Sequence, residues 1–398
     1  MDKLVYLYYI VLLIILFGGA KLCRKKTWNE DFMSLSQTKY LQGFFAICVM
    51  LHHAGQKTCA PWHNPYFIVH GLDFFVPIGY LFVSVFLFCS GYGLFKSYKQ
   101  KENYLQGFVK RRILPLVLAF YSTGLIFFVV RLLMGERMSG EQMFYYLSGA
   151  QLCNPNAWYV IALPIFYLGF YLAFKFIKKD GWALFATILV VFVYTLIGTF
   201  VDHNDWWMRG EWWYNSVHLF SIGLLFARFE KPVVEHVKKF YPVYLILVII
   251  GLVVCYPLSE YAQNAFSYYG ENWNAPDKVQ RRWVCLLTQM GASCAFVFLV
   301  FLLNMKIKIG NKVLQFMGAL TLEFYLIHGL FVELFGYDFL EMRPSIHYIR
   351  NVALYLLVVI VLSVPAAVIL QKVHNLILGV GKKKSVTKEI RRLTDDKE

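Results

Sequence analysis

Charged residues are scarce in this chain. Asp, Glu, Lys and Arg make up 16% of the 398 residues, against roughly 25% in soluble domains. A soluble globule of this length would need more polar surface than that. The sequence also has no CxxC pair and no Cys/His spacing typical of a metal site, so we expect no bound metal.

A cleavable leader is not expected either. The first apolar run, residues 4–20, has no basic start and no small-residue cleavage site. It ends in Lys21, Arg24, Lys25 and Lys26, and basic residues on this flank place it inside the cell. Residues 1–30 are therefore predicted to form a retained transmembrane helix with its N-terminus outside.

Long apolar runs are abundant instead. Hydrophobic residues make up 59% of the chain, and the runs repeatedly reach the 20 or so residues that a helix needs to cross a bilayer. The sequence therefore predicts an all-α, polytopic transmembrane helix bundle of about eleven helices, one N-terminal helix plus a ten-helix core. The expected spans are 4–20, 40–57, 68–95, 106–134, 157–176, 182–201, 213–229, 241–258, 284–304, 314–335 and 348–374.

The chain has a net charge of +15, and its basic residues lie mainly between these apolar runs. A basic face or a binding motif would indicate nucleic acid, and neither is present. The basic loops alternate with less basic ones, which is typical of the positive-inside rule. The expected partner is the lipid bilayer of the cell (plasma or inner) membrane, with a cytoplasmic C-terminus. Residues 31–375 would form the membrane domain and 376–398 a basic cytoplasmic tail.

Two histidines lie in the second expected span. Helical rise places His53 roughly 20 Å beyond Lys39, well into the bilayer. Gln42 and His53 are eleven residues apart and share a face. Histidine is a natural general base near neutral pH, although a structural histidine bonded to a neighbouring helix fits the same pattern. We expect His53 to be catalytic and His52 to face the substrate.

Basic residues open the fourth expected span. Lys110, Arg111 and Arg112 fit either a topology anchor or a phosphate site, because arginine offers a bidentate fork and a helix N-terminus favours anions. The end of the preceding span contains Ser90 and Gly91, a small pair that permits close approach by a helix or by a ligand.

Two loops that we place outside combine amides and aromatics. Asn156 and Trp158 stand where one loop re-enters the membrane, and the loop that continues to Asn215 is rich in tryptophan. Tryptophan is an ordinary interfacial anchor, and amides beside aromatic rings also suit a sugar. We expect Asn156, Trp158 and Asn215 to bind substrate.

A later span contains a second polar group. Glu323 and His328 lie at depths close to that of His53, and Thr321, Tyr325 and His328 share a face. Polar residues at these depths are costly and therefore indicate function. Glu323, Tyr325 and His328 are expected to act in catalysis together with His53.

These fragments, in this order over residues 35–375, resemble the acyltransferase-3 family of integral membrane acyltransferases. The five matching fragments are Gln42 with His53 after ten residues, FLFCSGY from Phe86 to Tyr92, Arg111-Arg112 with Pro115, Trp158-Tyr159-Val160, and Thr321 to His328.

The resemblance implies transfer of an acyl group, usually acetyl from acetyl-CoA inside the cell, to a hydroxyl of a cell-surface or lipid-linked glycan or a small molecule. Acyl-CoA would be a co-substrate, with no permanently bound cofactor. Carried over, His53 would activate the hydroxyl or accept the acyl group in transit. The residues that would bind the CoA or adjoin it are Arg111, Arg112, Lys110, Gln42, Lys39 and Ser90.

The chain departs from the family pattern at two positions. Gln42 stands where the family usually has a basic residue, and Lys39, one turn earlier, could reach the site by snorkelling. Ser84 stands where an acidic residue is common. Two other interpretations remain open, namely a transporter or flippase of a polar glycolipid or metabolite, favoured by the intramembrane Glu and His, and a non-catalytic scaffold, favoured by Gln42 alone.

Overall fold

The computed structural model describes residues 3–60, 68–203, 208–266, 275–339 and 343–379. The described chain is all-α, as predicted, apart from two pairs of two-residue strands. Its twelve α-helices, in chain order, are α1 Tyr6–Phe17, α2 Leu35–Cys59, α3 Gly79–Gln100, α4 Leu114–Leu133, α5 Gly140–Ser148, α6 Trp158–Phe176, α7 Asp180–Phe200, α8 His218–Lys239, α9 Tyr241–Ala265, α10 Lys278–Asn304, α11 Lys312–Phe335 and α12 Val352–Ile377.

Each of the eleven predicted spans coincides with one of these helices, and α5 is an additional short helix within a predicted loop. Eight of the described helices are long and apolar enough to cross a membrane. The three predicted spans outside that set are α1, which is short, and α2 and α8, which carry more polar residues. The chain is therefore a multi-pass membrane protein.

Two helix boundaries differ most from the approximate predicted spans. The third span was expected from residue 68, but a 3-10 turn at Asp73–Phe75 precedes α3, which begins at Gly79. The Asp73 carboxylate accepts a hydrogen bond from the Gly71 backbone at 2.7 Å, which stabilises the turn within this apolar stretch. The seventh span was expected to end at 229, but helical structure continues to Lys239 beyond a break at Phe229.

Side-chain caps fix where several helices begin. The Ser34 hydroxyl accepts from the Gln37 amide before α2, and the Asn311 and Asn351 side chains accept from Leu314 and Leu354 before α11 and α12. Such caps satisfy backbone donors that have no partner in the first helical turn.

The chain forms two compact units, Met1–Phe82 with Leu303–Glu398, and Val83–Leu302. In the first unit, α11 packs against both α2 and α12. Strand β1 Lys21–Leu22 pairs antiparallel with β2 Ile307–Lys308, and β3 Asp338–Phe339 with β4 Arg343–Pro344.

The second unit contains α4 to α9 with most of α3 and α10. A π-helical segment, Val109–Ile113, leads directly into α4. Helices α3 and α8 cross closely, since a Cβ on Gly91 would lie 2.0 Å from the Phe220 carbonyl oxygen and one on Gly223 would lie 2.2 Å from that of Phe88. Gly91 therefore serves helix packing.

Candidate active site

The structure brings His53 of α2 and His328 of α11 together. His53 Nδ1 lies 2.8 Å from His328 Nε2, and the two rings stack with centroids 5.0 Å apart. His328 is fully buried, whereas His53 is half-buried. The pair therefore has one buried member and one member within reach of a ligand.

The hydrogen bonds of His328 determine which nitrogens carry protons. Its Nδ1 lies 2.8 Å from the Phe324 carbonyl oxygen, which can only accept. His328 Nδ1 therefore donates, and in the neutral ring Nε2 is the acceptor. His53 Nδ1 must then donate to His328 Nε2. His53 Nε2 is left with its lone pair, which is the form a general base requires.

Two glycines explain why these histidines meet. A Cβ on Gly43 would lie 2.6 Å from the Gly318 backbone nitrogen, and one on Gly318 would lie 2.4 Å from the Lys39 carbonyl oxygen. Small residues let two membrane helices approach closely. His53 follows Gly43 by ten residues and His328 follows Gly318 by ten. Because α2 and α11 run parallel, both side chains rise by about 15 Å from the crossing and reach the same level.

His52 faces another part of the first unit. Its Nδ1 donates to the Phe75 carbonyl oxygen at 2.9 Å, and its ring fills the space beside Gly79, where a Cβ would lie 2.4 Å from Nε2. The ring centroids of His52 and His53 are 5.1 Å apart. His52 is thus positioned by the turn before α3, and its role in binding substrate stays a prediction.

A buried ion pair lies one turn beyond His53. Lys57 Nζ is 2.7 Å from Glu333 Oε2 and also donates to the Asp338 carbonyl oxygen at 2.7 Å. Both side chains are less than a tenth exposed. Sequence analysis missed this pair, although Lys57 shares a face of α2 with His53 at the i, i+4 spacing.

Glu323 is turned toward α12. Its carboxylate lies 3.3 Å from His374 Nδ1 and accepts from Gln371 Nε2 at 3.5 Å. Five residues along a helix amount to about 140° of rotation, which separates Glu323 from the face of His328. Because Gln371 and His374 of α12 are partners for the Glu323 carboxylate, the presence of this buried carboxylate needs no transported ligand to explain it. Glu323 therefore does not favour a transporter over an enzyme. Tyr325, by contrast, packs edge-on against the His328 ring at 6.2 Å.

Lys39 and Gln42 lie on α2 near its crossing with α11. Both side chains are half-buried. Lys39 is at the crossing itself, where its carbonyl oxygen faces Gly318. Their assignment to CoA binding stays a prediction.

The basic residues before α4 belong to the second unit. Arg111 is exposed, and its Nη2 donates to the carbonyl oxygens of Tyr104 and Gln106, both at 2.7 Å. Arg112 is half-buried, and its Nε donates to the Tyr104 hydroxyl at 2.9 Å. Lys110 is exposed. Since a guanidinium has five N–H groups, these bonds hold each arginine in place and leave donors for an anion.

The other predicted binding residues are also in the second unit. The Ser90 hydroxyl is 2.6 Å from the Tyr167 hydroxyl. Trp158 is buried at the start of α6, and Asn156 is half-buried before it. Asn215 is 1% exposed, in the turn before α8. Residues 204–207 of the tryptophan-rich loop and most of the predicted tail, 380–398, lie outside the described residues.

The family model for an acyltransferase domain of the acyltransferase-3 type matches residues 35–372, which is most of the chain. The chain belongs to this family. It is therefore a membrane acyltransferase, and both His53 and His328 lie within the matched region. No curated protein and no solved structure matches the chain.

Proposed function

We propose that this acyltransferase moves an acyl group, acetyl in the first instance, from acyl-CoA to a hydroxyl of a cell-surface or lipid-linked glycan or of a small molecule. The observation that carries the proposal is the hydrogen-bonded chain from the Phe324 carbonyl through His328 to His53. That chain presents a neutral imidazole with its basic nitrogen outward, as deprotonation of a hydroxyl requires.

The chemical step follows from this geometry. His53 Nε2 removes the proton of the acceptor hydroxyl while the oxygen attacks the thioester carbonyl carbon of acyl-CoA. A carbon–oxygen bond forms and the carbon–sulfur bond breaks. The imidazolium of His53 then returns its proton to the departing CoA thiolate, so that an ester and free CoA leave a neutral enzyme. His328 stabilises the imidazolium by accepting from Nδ1 throughout.

Binding of the CoA is assigned to the second unit. Arg111 and Arg112 retain guanidinium donors beyond those bonded to Tyr104 and Gln106, and Lys110 adds an exposed cation. Arginine forks match phosphate oxygens in charge and geometry. The first turn of a helix adds backbone donors and a favourable dipole.

The proposed orientation places these basic residues in the cytosol, where acyl-CoA is found. The N-terminus would lie outside and the C-terminus in the cytoplasm, in the plasma or inner membrane, because the basic loops then all face inward. Cysteine-accessibility labelling of introduced loop cysteines in intact cells would test this orientation.

The experiment that tests the function compares wild-type protein with His53→Ala. Purified protein in lipid nanodiscs is supplied with radiolabelled acetyl-CoA and a membrane glycan extract from the host cell. Loss of a general base typically costs 10²–10⁴-fold in rate, so His53→Ala should lose acyl transfer by about that factor while CoA binding is unchanged.

The matched control is His236→Ala, which removes an exposed histidine of α8. Acyl transfer by this variant should equal that of the wild type. Retention of full activity by His53→Ala would show that another group serves as the base.

A further inference from the structure

Helix α1 lies outside the region that matches the family model, which begins at residue 35. It is nevertheless bonded to the first unit at both of its ends. Asn311, which caps α11, also donates through Nδ2 to the carbonyl oxygens of Ile15 and Gly18 at 2.7 and 2.9 Å. The carboxyl end of α1 is thereby fixed to the start of the helix that carries His328.

The amino end of α1 contacts the turn at residues 71–75, which precedes α3. The Tyr9 hydroxyl donates to the Gly71 carbonyl oxygen at 2.9 Å, and the rings of Tyr9 and Phe75 pack with centroids 5.4 Å apart. Val5 is fully buried against Gly71, where a Cβ would lie 3.1 Å from Val5 Cγ1. Gly71 has a φ of +145°, a conformation that other residues rarely adopt. Helix α1 therefore holds this turn by a hydrogen bond, a ring contact and close packing.

The same turn holds His52. The Phe75 carbonyl oxygen accepts a hydrogen bond from His52 Nδ1 at 2.9 Å. The ring centroids of His52 and His53 are 5.1 Å apart, and those of His53 and His328 are 5.0 Å apart. The His53 ring thus contacts two other imidazoles, and α1 is connected to one of them through Phe75.

We propose that α1 is a positioning element of the active site and that Tyr9 is its positioning residue. Tyr9 holds the turn at residues 71–75, and the turn holds His52. The His52 ring in turn restricts the His53 ring to the orientation in which Nδ1 faces His328. The inference rests on the proposed function, because it takes His53 for the base.

The competing explanation is that Tyr9 only stabilises the fold. The neighbouring residue provides a matched control, because the Tyr8 hydroxyl donates to the Ala353 carbonyl oxygen of α12 at 2.8 Å. Tyr8→Phe and Tyr9→Phe each remove one hydrogen bond between α1 and another part of the first unit, and each keeps the aromatic ring. Of these two bonds, only that of Tyr9 reaches the turn that holds His52.

The first measurement is acetyl transfer by the full-length protein in nanodiscs. Loss of one hydrogen bond corresponds to about two- to tenfold in rate when the bond holds a catalytic group in place. Tyr9→Phe should lower the turnover number by about that factor and leave the KM for acetyl-CoA unchanged, because donor binding is assigned to the second unit. Tyr8→Phe should keep the wild-type turnover number, although its unfolding midpoint should fall as much as that of Tyr9→Phe.

A double variant tests whether Tyr9 acts through His52. His52→Ala removes the ring that the turn holds, so the addition of Tyr9→Phe should lower the turnover number no further. Residues that act through one another are non-additive, whereas the effects of independent residues add. An added loss as large as that of Tyr9→Phe alone would overturn this connection.

The second measurement needs no acyl donor. Nitrogen-15 spectra of histidine-labelled protein report the hydrogen bond of His52 Nδ1 and the state of the His53 ring. With signals assigned from His52→Ala and His53→Ala, Tyr9→Phe should shift the signals of both histidines. Tyr8→Phe should leave these signals at their wild-type positions.

The inference is overturned if Tyr9→Phe and Tyr8→Phe have equal turnover numbers, or if Tyr9→Phe leaves the histidine signals unchanged. Either result would leave acyl transfer that depends on His53, and with it the proposed function, intact. Retained transfer by His53→Ala would instead contradict the assignment of the base. Shifted histidine signals in Tyr9→Phe would in that case still show that α1 positions these rings.

Discussion

Replacing His328 by leucine removes the acceptor for the His53 Nδ1 proton. It does not remove any group that we expect to touch the substrate. The bond is 2.8 Å long and His328 is fully buried, so no solvent molecule is at hand to replace the lost partner. His53 would then lose both its fixed orientation and its fixed tautomer, and Nε2 would no longer be held as the base. We expect the turnover number of His328→Leu to fall while its affinity for CoA stays unchanged.

The size of the effect follows from the cost of an unpaired buried donor. That cost is about 1–3 kcal/mol, which corresponds to roughly 5- to 150-fold in rate when it raises the barrier. The loss should remain below that of His53→Ala, for which the whole general-base contribution of about 10²–10⁴-fold is removed.

The matched variant is His328→Gln, because its side-chain oxygen can occupy the place of Nε2 and accept from His53. We expect it to stay within about fivefold of the wild type in turnover number. The assay is acetyl transfer in nanodiscs, with turnover number and KM determined separately. Equal activity of the leucine and glutamine variants, or full activity of the leucine variant, would refute the role of His328 in orienting His53.

Three further predictions concern stability and reactivity. Gly43→Ala would place a Cβ 2.6 Å from the backbone of α11 and should lower the stability of the protein in thermal unfolding by about 1–3 kcal/mol. The control is Gly93→Ala, where a Cβ would meet nothing within 4 Å and stability should not fall. Equal unfolding midpoints for the two variants would contradict the close crossing of α2 and α11. Glu333→Leu should cost about 3–5 kcal/mol by removing the carboxylate that balances the buried charge of Lys57, and the double variant with Lys57→Met should recover most of that loss. A double variant as unstable as the single variant would contradict this explanation. Burial raises the pKa of the Cys153 thiol to about 11, so about one Cys153 thiol in a thousand is ionised at pH 8. Alkylation of Cys153 should therefore be far slower than that of glutathione. Labelling of Cys153 at the glutathione rate would show that this thiol is accessible.

Much of the fold follows from apolar run length. Every predicted span coincides with a helix because bilayer thickness and helical rise together set a length that the sequence displays. The start of α3 could not be obtained in this way. Residues before Gly79 are as apolar as those after it, and a local side-chain bond from Asp73, not hydropathy, decides the boundary.

The depth of the site residues in the membrane could be predicted from the sequence, but the helix that each side chain faces could be predicted less well. Helical rise placed His53 and His328 at similar depths, and the equal ten-residue offsets from Gly43 and Gly318 were a signal in the sequence for their contact. The pairing of Glu323 with α12 was not predictable, because it depends on which helices become neighbours. Neighbour choice is set by packing over the whole chain, which no local pattern encodes.

The most direct test of the central claim is a measurement of which nitrogen of His53 carries the proton. Nitrogen-15 spectra of histidine-labelled protein in lipid, assigned by comparison with His53→Ala, distinguish protonated from unprotonated ring nitrogens. We predict a protonated Nδ1 and an unprotonated Nε2 at neutral pH, with this pattern lost in His328→Leu and kept in His328→Gln. A protonated Nε2 in the wild type would contradict the assignment of His53 as the base.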